Sequence, residues 1–217
     1  MCSAAVPHLA AGRTTGDDER MNAHSDTALL VIDAQESFRQ RADDWASTAN
    51  PAVLENIALL VAHARQVGDE VVWITHAEPG SGGVFDPANG FVRVIDVLAP
   101  LESEQAVTKT TVNAFGSTDL EERLRRGGIR RLVVCGIRTE QCCETTTRVA
   151  ADLGFEIEFV TDATTTSSIP AAGALAAVSG EDIMRRTESI LAARGFATIR
   201  SARERAGAPT EGAPTLR

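Results

Sequence analysis

Short, uninterrupted apolar runs alternate along this chain with segments of helical periodicity, and this alternation constrains the fold most strongly. The first run covers residues 28–32 and stops at Asp33, and another covers residues 131–137. Such runs are typical of strands that are buried on both faces of a parallel sheet. Between them, residues 51–67 carry apolar side chains at helical spacing, with Asn50 as the predicted N-cap and Gly68 as the stop.

The same patterns continue to the end of the chain. They predict further strands at 70–75, 106–108, 156–161 and 197–200, and further helices at 118–126, 140–153 and 182–194. Strands that alternate with helices imply a parallel sheet with right-handed crossovers. The sequence therefore predicts a single-domain α/β fold, a doubly wound parallel sheet with helices on both faces.

The two ends of the chain lack these patterns. Residues 1–25 are polar without periodicity, and residues 202–217 are rich in Ala, Gly, Pro and charge. We therefore predict a flexible N-terminal arm over 1–25, a domain over 26–201 and a flexible C-terminal tail over 202–217.

Charge and cysteine content narrow the classes of function. With 21 Lys and Arg against 30 Asp and Glu, the net charge is −9, which disfavours binding to nucleic acid or to anionic membranes. Two of the four cysteines are adjacent, which does not fit a disulfide framework. The N-terminal segment has no apolar core of a signal peptide, and no apolar run is long enough to span a membrane. We expect a cytoplasmic protein with reduced thiols.

Polar residues that could take part in catalysis or ligand binding follow the predicted strands. They are Asp33, His76, Lys109, the turn at 136–143 and Asp162. Ligands of open parallel sheets bind beyond the carboxyl ends of the strands. We therefore expect these groups at one edge of the sheet, where a carboxylate, an ammonium and a thiol would meet.

Cys142 is the candidate nucleophile because it lies near the start of a predicted helix. Free N–H groups and the helix dipole at that position lower a thiol pKa and can hold an oxyanion. His76 is the one histidine at a strand end, so a Cys–His pair has weak support, whereas Asp33 can accept the thiol proton in a dry site. The alternative is that Cys142 is a small buried hydrophobic residue.

Lys109 is the one lysine among the 21 basic residues of the chain. A compact ammonium fits between two small anionic groups where the planar guanidinium of arginine does not. Coding bias that left one lysine on the surface is the alternative explanation.

Three segments together resemble the isochorismatase-like cysteine hydrolases. Residues 135–146 read CGIRTEQCCETT, which resembles the family pattern Gly-x-x-Thr-x-x-Cys-x-x-x-Thr. Residues 31–38, VIDAQESF, are similar to its Asp-x-Gln-x-x-Phe motif, and residues 108–115, TKTTVNAF, resemble its lysine-containing motif. The resemblance covers residues 27–200 with all three motifs in order.

The resemblance implies a six-stranded parallel sheet and a catalytic triad of Asp33, Lys109 and Cys142. It also implies a cis peptide at Ile137–Arg138 and an oxyanion hole formed by the main-chain N–H groups of Arg138 and Cys142. In the implied reaction, Asp33 takes the thiol proton, the thiolate attacks a carbonyl carbon, and water hydrolyses the resulting acyl-thioester.

We also predict contacts with substrate. The candidates are Phe38, Trp45, His76, Phe115 and Gln141, although core packing is the commoner role of the aromatic residues. Nicotinamidases of the family hold a metal through two histidines, whereas this chain has His76 alone in that region, so we predict no metal and no cofactor. Glu78 or Asp86 could join His76 if a metal were bound.

The Cys142-Cys143 doublet resembles the branch that includes streptothricin hydrolase, which opens a lactam. This predicts hydrolysis of a small non-peptide amide or lactam by a homodimer or homotetramer. The alternatives are a vinyl-ether hydrolase of the isochorismatase type, a nicotinamidase-like deamidase and a non-catalytic partner domain. A thiol redox protein is disfavoured because the chain has no C-x-x-C spacing.

Overall fold

The described part of this chain forms one sheet of six parallel strands. The computed structural model describes residues 25–207, so most of the predicted arm and the tail from 208 onward lie outside the described residues. The strands are β1 (Thr27–Ile32), β2 (Glu70–His76), β3 (Gln105–Lys109), β4 (Arg131–Ile137), β5 (Glu156–Thr165) and β6 (Thr198–Arg200). They pair in the order β3-β2-β1-β4-β5-β6 with every pair parallel. The predicted fold class is confirmed.

Helices cover both faces of the sheet. They are α1 (Glu36–Arg39), α2 (Ala42–Ala46), α3 (Val53–Val67), α4 (Leu120–Arg126), α5 (Glu144–Asp152), α6 (Gly180–Ala193) and α7 (Ala202–Arg205). A π-helical turn, Thr139–Cys143, precedes α5, and two 3₁₀ turns, Pro87–Asn89 and Asp96–Leu98, lie between β2 and β3. One core cluster packs α4, α5 and α6 on one face of the sheet, and a second packs α3 and α7 on the other.

The alternating side chains of β1 divide between these two cores. Leu30 and Ile32 belong to the cluster with α4, α5 and α6, whereas Leu29 and Val31 belong to the cluster with α3. All six residues of β1 are buried. A central strand that is covered on both faces requires the uninterrupted apolar run seen in the sequence.

Two predicted helix starts differ from the structure, that of α3 and that of the helix predicted from 140. Helix α3 begins at Val53, since the Asn50 side chain accepts from the Ala52 N–H and also donates to the carbonyls of Asp162 and Thr164. Gly68 ends α3 with a φ of 79°, as predicted. The helix predicted from 140 begins instead with the π-helical turn.

Strand β5 continues past Asp162, where we predicted that it would end. The Asp162 side chain accepts a hydrogen bond at 2.8 Å from the N–H of Ala202 at the start of α7, and this bond fixes the helix against the sheet. Asp162 is therefore a structural acceptor, and its place in the strand-end constellation was wrong.

The predicted C-terminal tail begins with a helix. Ser201 and Glu204 form a capping box at the start of α7, Ala202 is fully buried, and Arg205 pairs with Asp69 at 2.6 Å. The predicted start of the tail at 202 is therefore corrected, because burial and capping hold Ala202–Arg205 against the domain. The division into arm, domain and tail otherwise stays a prediction.

The order of the strands also locates a crevice. The chain builds β1, β2 and β3 outward in one direction, and then β4, β5 and β6 outward in the other. The carboxyl ends of β1 and β4 therefore flank a topological switch point, which is where open α/β sheets bind ligands. No helix within residues 25–207 has the length and apolar character needed to cross a membrane.

Candidate active site

Lys109 reaches the switch point from two strands away. It is the last residue of β3, and its side chain passes the end of β2 to place Nζ at 2.7 Å from Oδ2 of Asp33, which follows β1. Both side chains are completely buried. A long, unbranched stem lets the ammonium cross the neighbouring strand, and the buried carboxylate supplies the counter-charge that a buried ammonium requires.

Cys142 brings the thiol to the same point from β4. Its Sγ lies 3.4 Å from Lys109 Nζ, and the residue is 9% exposed. The structure therefore brings together the three residues that the motifs predicted as a triad. Their catalytic role stays a prediction, but the geometry that it requires is present.

Gly136 makes the turn between β4 and Cys142 possible. Its φ is +128°, and an added Cβ would overlap the carbonyl oxygen of Ile32. The β4–β5 register shifts at this point, between Val134 and Gly136. The peptide that follows, Ile137–Arg138, is cis, as the resemblance implied. Glycine is required where one backbone approaches another this closely.

The resting thiol of Cys142 is protonated at neutral pH. Its pKa is raised to about 12, mainly by burial and also by the nearby Asp33 carboxylate, whose effect exceeds the lowering by the Lys109 ammonium. The expectation that the helix start lowers this pKa was wrong, because desolvation and a neighbouring anion outweigh the helix dipole. Cys142 therefore needs a base to become a nucleophile.

Asp33 has the properties of that base. Burial raises the pKa of its carboxyl group above the ordinary value, against the opposing charge of the Lys109 ammonium. The residue adopts a left-handed backbone conformation with φ at 51°, and its N–H donates to the Ile74 carbonyl at 2.8 Å. Asp tolerates this conformation better than most residues. The backbone thus aims the carboxylate into the crevice.

The predicted oxyanion donors lie in one turn. The carbonyl of Arg138 accepts from the N–H groups of Gln141 and Cys143, which holds the π-helical turn together. Within the part of the chain that the structure describes, the Arg138 N–H has no hydrogen-bond acceptor. A free N–H beside the nucleophile is the kind of donor that an oxyanion uses.

A narrow cleft lies beside this turn. Phe38, Trp45 and Arg138 line it together with Thr165 and Thr166, and its free volume of about 10 Å³ is at the lower limit of what one water molecule needs. The Arg138 guanidinium lies 5.7 Å from the centre of the Phe38 ring and pairs with Asp44 of α2 at 2.8 Å. Phe38 and Trp45 thus line a cleft next to the cis peptide, and their contact with substrate stays a prediction.

The remaining predicted substrate contacts have different surroundings. Gln141 is exposed on the π-helical turn. Phe115 stacks on Phe155 with ring centres 6.2 Å apart, and Phe155 precedes β5 at the amino edge of the sheet, opposite to Asp33. The proposed role of Phe115 in the pocket wall is therefore corrected to core packing, the alternative that aromatic residues generally favour.

Gln35 is a site residue to which the sequence analysis gave no role. Its side chain accepts from the His76 N–H at 2.7 Å and donates to the His76 carbonyl at 3.0 Å and to Ser37 at 2.8 Å. Gln35 is fully buried and ties the end of β2 to the residues after β1. Its place in the motif Asp-x-Gln was the signal that could have found it.

The Asp86 carboxylate, which could join His76 at a metal ion, has other hydrogen-bond partners. Asp86 accepts from the N–H groups of Gly82 and Ala88, and these bonds hold the pKa of its carboxyl group below the usual value. Within residues 25–207, no group of three or more His, Cys, Asp or Glu has a geometry that could bind a metal. That the protein needs neither metal nor cofactor stays a prediction.

Comparison with known proteins gives a consistent result. A family model described as the isochorismatase domain matches residues 27–179. Streptothricin hydrolase from Streptomyces noursei is 34% identical over 145 residues, covering 67% of this chain and 51% of that protein. Nicotinamidase 3 from Arabidopsis thaliana is 33% identical over 153 residues, covering 64% of this chain and 73% of that protein. The crystal structure of a cysteine hydrolase from Pseudomonas syringae pv. phaseolicola 1448A has a TM-score of 0.76 at 25% identity, covering 84% of this chain and 92% of that one.

Proposed function

Because this chain belongs to the isochorismatase family of hydrolases, we propose that it cleaves the carbon–nitrogen bond of a small non-peptide amide or lactam through an acyl-thioester on Cys142. The observation that carries this proposal is the contact of one buried ammonium, Lys109 Nζ, with both Asp33 and the Cys142 thiol. That arrangement supplies a base, a nucleophile and a fixed positive charge between them.

The first half-reaction starts from a neutral thiol and a carboxylate. Asp33 takes the proton from Cys142 Sγ as the sulfur attacks the carbonyl carbon of the amide. The N–H groups of Arg138 and Cys142 stabilise the oxyanion that forms. Asp33 then gives its proton to the amide nitrogen, the carbon–nitrogen bond breaks, and the amine leaves an acyl-thioester behind.

The second half-reaction restores the enzyme. Asp33 takes a proton from a water molecule, whose oxygen attacks the thioester carbonyl. The carbon–sulfur bond breaks, and the proton on Asp33 returns to Cys142. The raised pKa of Asp33 suits both roles, since a carboxylate with a raised pKa is a stronger base and, once it has taken the thiol proton, the same group can act as the acid.

Lys109 keeps the two anionic states of the site stable. The carboxylate of the resting enzyme and the thiolate of the attacking enzyme both lie within reach of its ammonium. Because the site is buried, the ammonium acts with little screening by water. The positive charge therefore stays in place while the negative charge moves from oxygen to sulfur.

A panel of amides and lactams, with nicotinamide and isochorismate included, tests the proposal. We expect turnover of an amide or lactam, an acyl adduct on Cys142 in the mass spectrum, and loss of turnover in Cys142→Ala. Cys143→Ala is the matched control, since Cys143 is fully buried in the core next to the nucleophile; it should retain turnover.

Two results would favour the alternatives. Turnover of isochorismate that survives in Cys142→Ala would indicate a vinyl-ether hydrolase, and turnover of nicotinamide would indicate a deamidase like the nicotinamidase relative. Full turnover of an identified amide by Cys142→Ala would contradict the thioester mechanism.

A further inference from the structure

The Lys109 ammonium has a third neighbour outside the triad. Its Nζ lies 3.4 Å from Nδ1 of His76, in addition to its contacts with Asp33 and Cys142. We propose that His76 is a positioning residue, whose ring nitrogen accepts the third N–H of Lys109 and so fixes the orientation of the ammonium. This inference rests on the proposed function of the same site.

The number of donors on lysine supports this role. An ammonium has three N–H donors and no acceptor, and three acceptors surround Lys109 Nζ. Because Lys109 is completely buried, solvent does not reach an N–H that lacks a protein partner. An unpaired donor on a buried charge is costly, so the His76 ring completes a set that the triad alone leaves short by one acceptor.

The sheet places His76 at this point. Strand β2 lies between β1 and β3, and His76 is the register partner of Lys109 in the β2–β3 pair. Register partners on adjacent parallel strands have their side chains on the same face of the sheet. The Lys109 side chain, on its way to Asp33, therefore passes the His76 ring.

The backbone and the ring of His76 are each held by a neighbouring side chain. Gln35 bonds to the backbone N–H and to the backbone carbonyl of His76. The Phe85 ring meets the imidazole edge to face, with ring centres 5.7 Å apart. Positions fixed in this way support a positioning role, because a hydrogen-bond acceptor can orient its donor only if it is itself held in place.

The contact with Lys109 also determines the tautomer. An Nδ1 that accepts a hydrogen bond carries no proton, so the ring proton of neutral His76 lies on Nε2. Glu78 Oε1 is 3.5 Å from Nε2, and the Glu78 side chain is half exposed. Glu78 therefore favours this tautomer only weakly, since exposed pairs contribute little.

Both ring nitrogens of His76 thus face protein groups. This assignment replaces the substrate contact that the sequence analysis predicted for His76. It also accounts for a histidine at the site that neither accepts the thiol proton nor has the partners of a metal ligand among the described residues.

Two substitutions at His76 distinguish a side chain that accepts a hydrogen bond from one that only occupies the same space. In His76→Asn, the amide oxygen can take the place of Nδ1, whereas His76→Leu offers no acceptor. His63→Leu is the matched control, because His63 lies on α3 and bonds to Arg205.

The probe is iodoacetamide at pH 7, with the alkylated residue identified by tandem mass spectrometry. We expect His76→Leu to alkylate at Cys142 about tenfold more slowly than the unmodified protein, which corresponds to one lost hydrogen bond to a charged group. We expect His76→Asn to stay within about threefold and His63→Leu to match the unmodified protein. Cys143 is fully buried, so its alkylation marks a variant that has unfolded.

The outcomes distinguish this inference from the proposed function. If Cys142→Ala retains full turnover of an amide that the unmodified protein cleaves, the proposed function fails. If Cys142→Ala loses turnover but His76→Leu alkylates as fast as the unmodified protein, the positioning role alone is wrong. A His76→Asn variant as slow as folded His76→Leu also overturns that role. Should His76→Leu alkylate at Cys143, His76→Ala replaces it with the same expectation.

Discussion

Lys109 shows how much one residue type can matter at a buried position. Its ammonium contacts Asp33, Cys142 and His76 at the end of a stem that crosses a neighbouring strand. We expect Lys109→Arg to lower kcat at least about 100-fold, because a planar guanidinium misplaces the charge in a closed site. Steady-state kinetics on an amide found in the panel measure this effect.

The reverse exchange on the surface is the control for Lys109→Arg. Arg126 is 71% exposed and pairs with Glu122 within α4, so Arg126→Lys should leave kcat unchanged. If Lys109→Arg also retained kcat, the one lysine of the chain would be a result of coding bias.

The pKa of Asp33 predicts the acidic side of the pH profile. Because burial raises this pKa above its ordinary value of 3.8, the base form is present at high pH and is lost as the pH falls through the raised value. We expect kcat/KM to decline at a pH above that of an ordinary aspartate, and Asp33→Asn to be inactive across the range. A decline centred near pH 3.8 would contradict a buried base.

At the scale of residues, the motifs predicted which side chains meet at the site, but they did not predict the pKa shifts of those side chains. Asp33, Lys109 and Cys142 meet as the motifs indicated, because each lies at or soon after the carboxyl end of a strand that the sequence pattern predicted. The direction of the Cys142 pKa shift did not follow from the sequence. It depends on how completely the helices on both faces exclude water and on how close the carboxylate comes.

At the scale of elements, the turn after β4 depends on Gly136. Any side chain there would overlap the Ile32 carbonyl, and the φ of +128° is unfavourable for residues with a Cβ. We expect Gly136→Ala to lower the free energy of unfolding by at least about 2 kcal/mol and to displace Cys142 from Lys109. Urea denaturation and alkylation of Cys142 measure the two effects.

Gly127→Ala is the matched control for this prediction. Gly127 has a φ of −72°, and an added Cβ would come no closer than 3.4 Å to a neighbouring atom. We expect the free energy of unfolding of Gly127→Ala to differ from that of the unmodified protein by less than about 0.5 kcal/mol. Equal stability of the two variants would show that the β4 turn can relax around a methyl group.

The sequence periodicity predicted which segments are strands and which are helices. It did not predict several of the residues at which these elements begin or end. Strand β5 runs past Asp162 because that carboxylate caps α7, and α3 starts late because Asn50 bonds to β5. These bonds join residues that lie 40 and more than 100 positions apart. Local patterns cannot show them, since they exist only once the elements have packed.

For the whole molecule, the net charge of −9 gives a prediction about partners. We expect no binding to double-stranded DNA or to anionic vesicles at physiological salt, because the long-range field repels phosphates. An electrophoretic shift assay and vesicle sedimentation measure this, with an arginine-rich protein as the positive control. Salt-dependent retention by either would contradict the prediction.

The predicted homodimer or homotetramer and the cytoplasmic location stay predictions at this scale. Analytical ultracentrifugation measures the first, with an expected mass of two or four chains. The family and the six-stranded sheet were predictable from three motifs in order, since these motifs occupy the ends of β1, β3 and β4.

The strand order divides the candidate site between two continuous halves of the chain. The half of the sheet built first carries Asp33, His76 and Lys109, and the half built second carries Arg138 and Cys142. The exposed turn at 127–128 joins the two halves. A chain cut there would divide base from nucleophile, so neither fragment could catalyse alone. Activity regained on mixing would report reassembly along the seam between β1 and β4, which makes this fold a natural candidate for a split reporter.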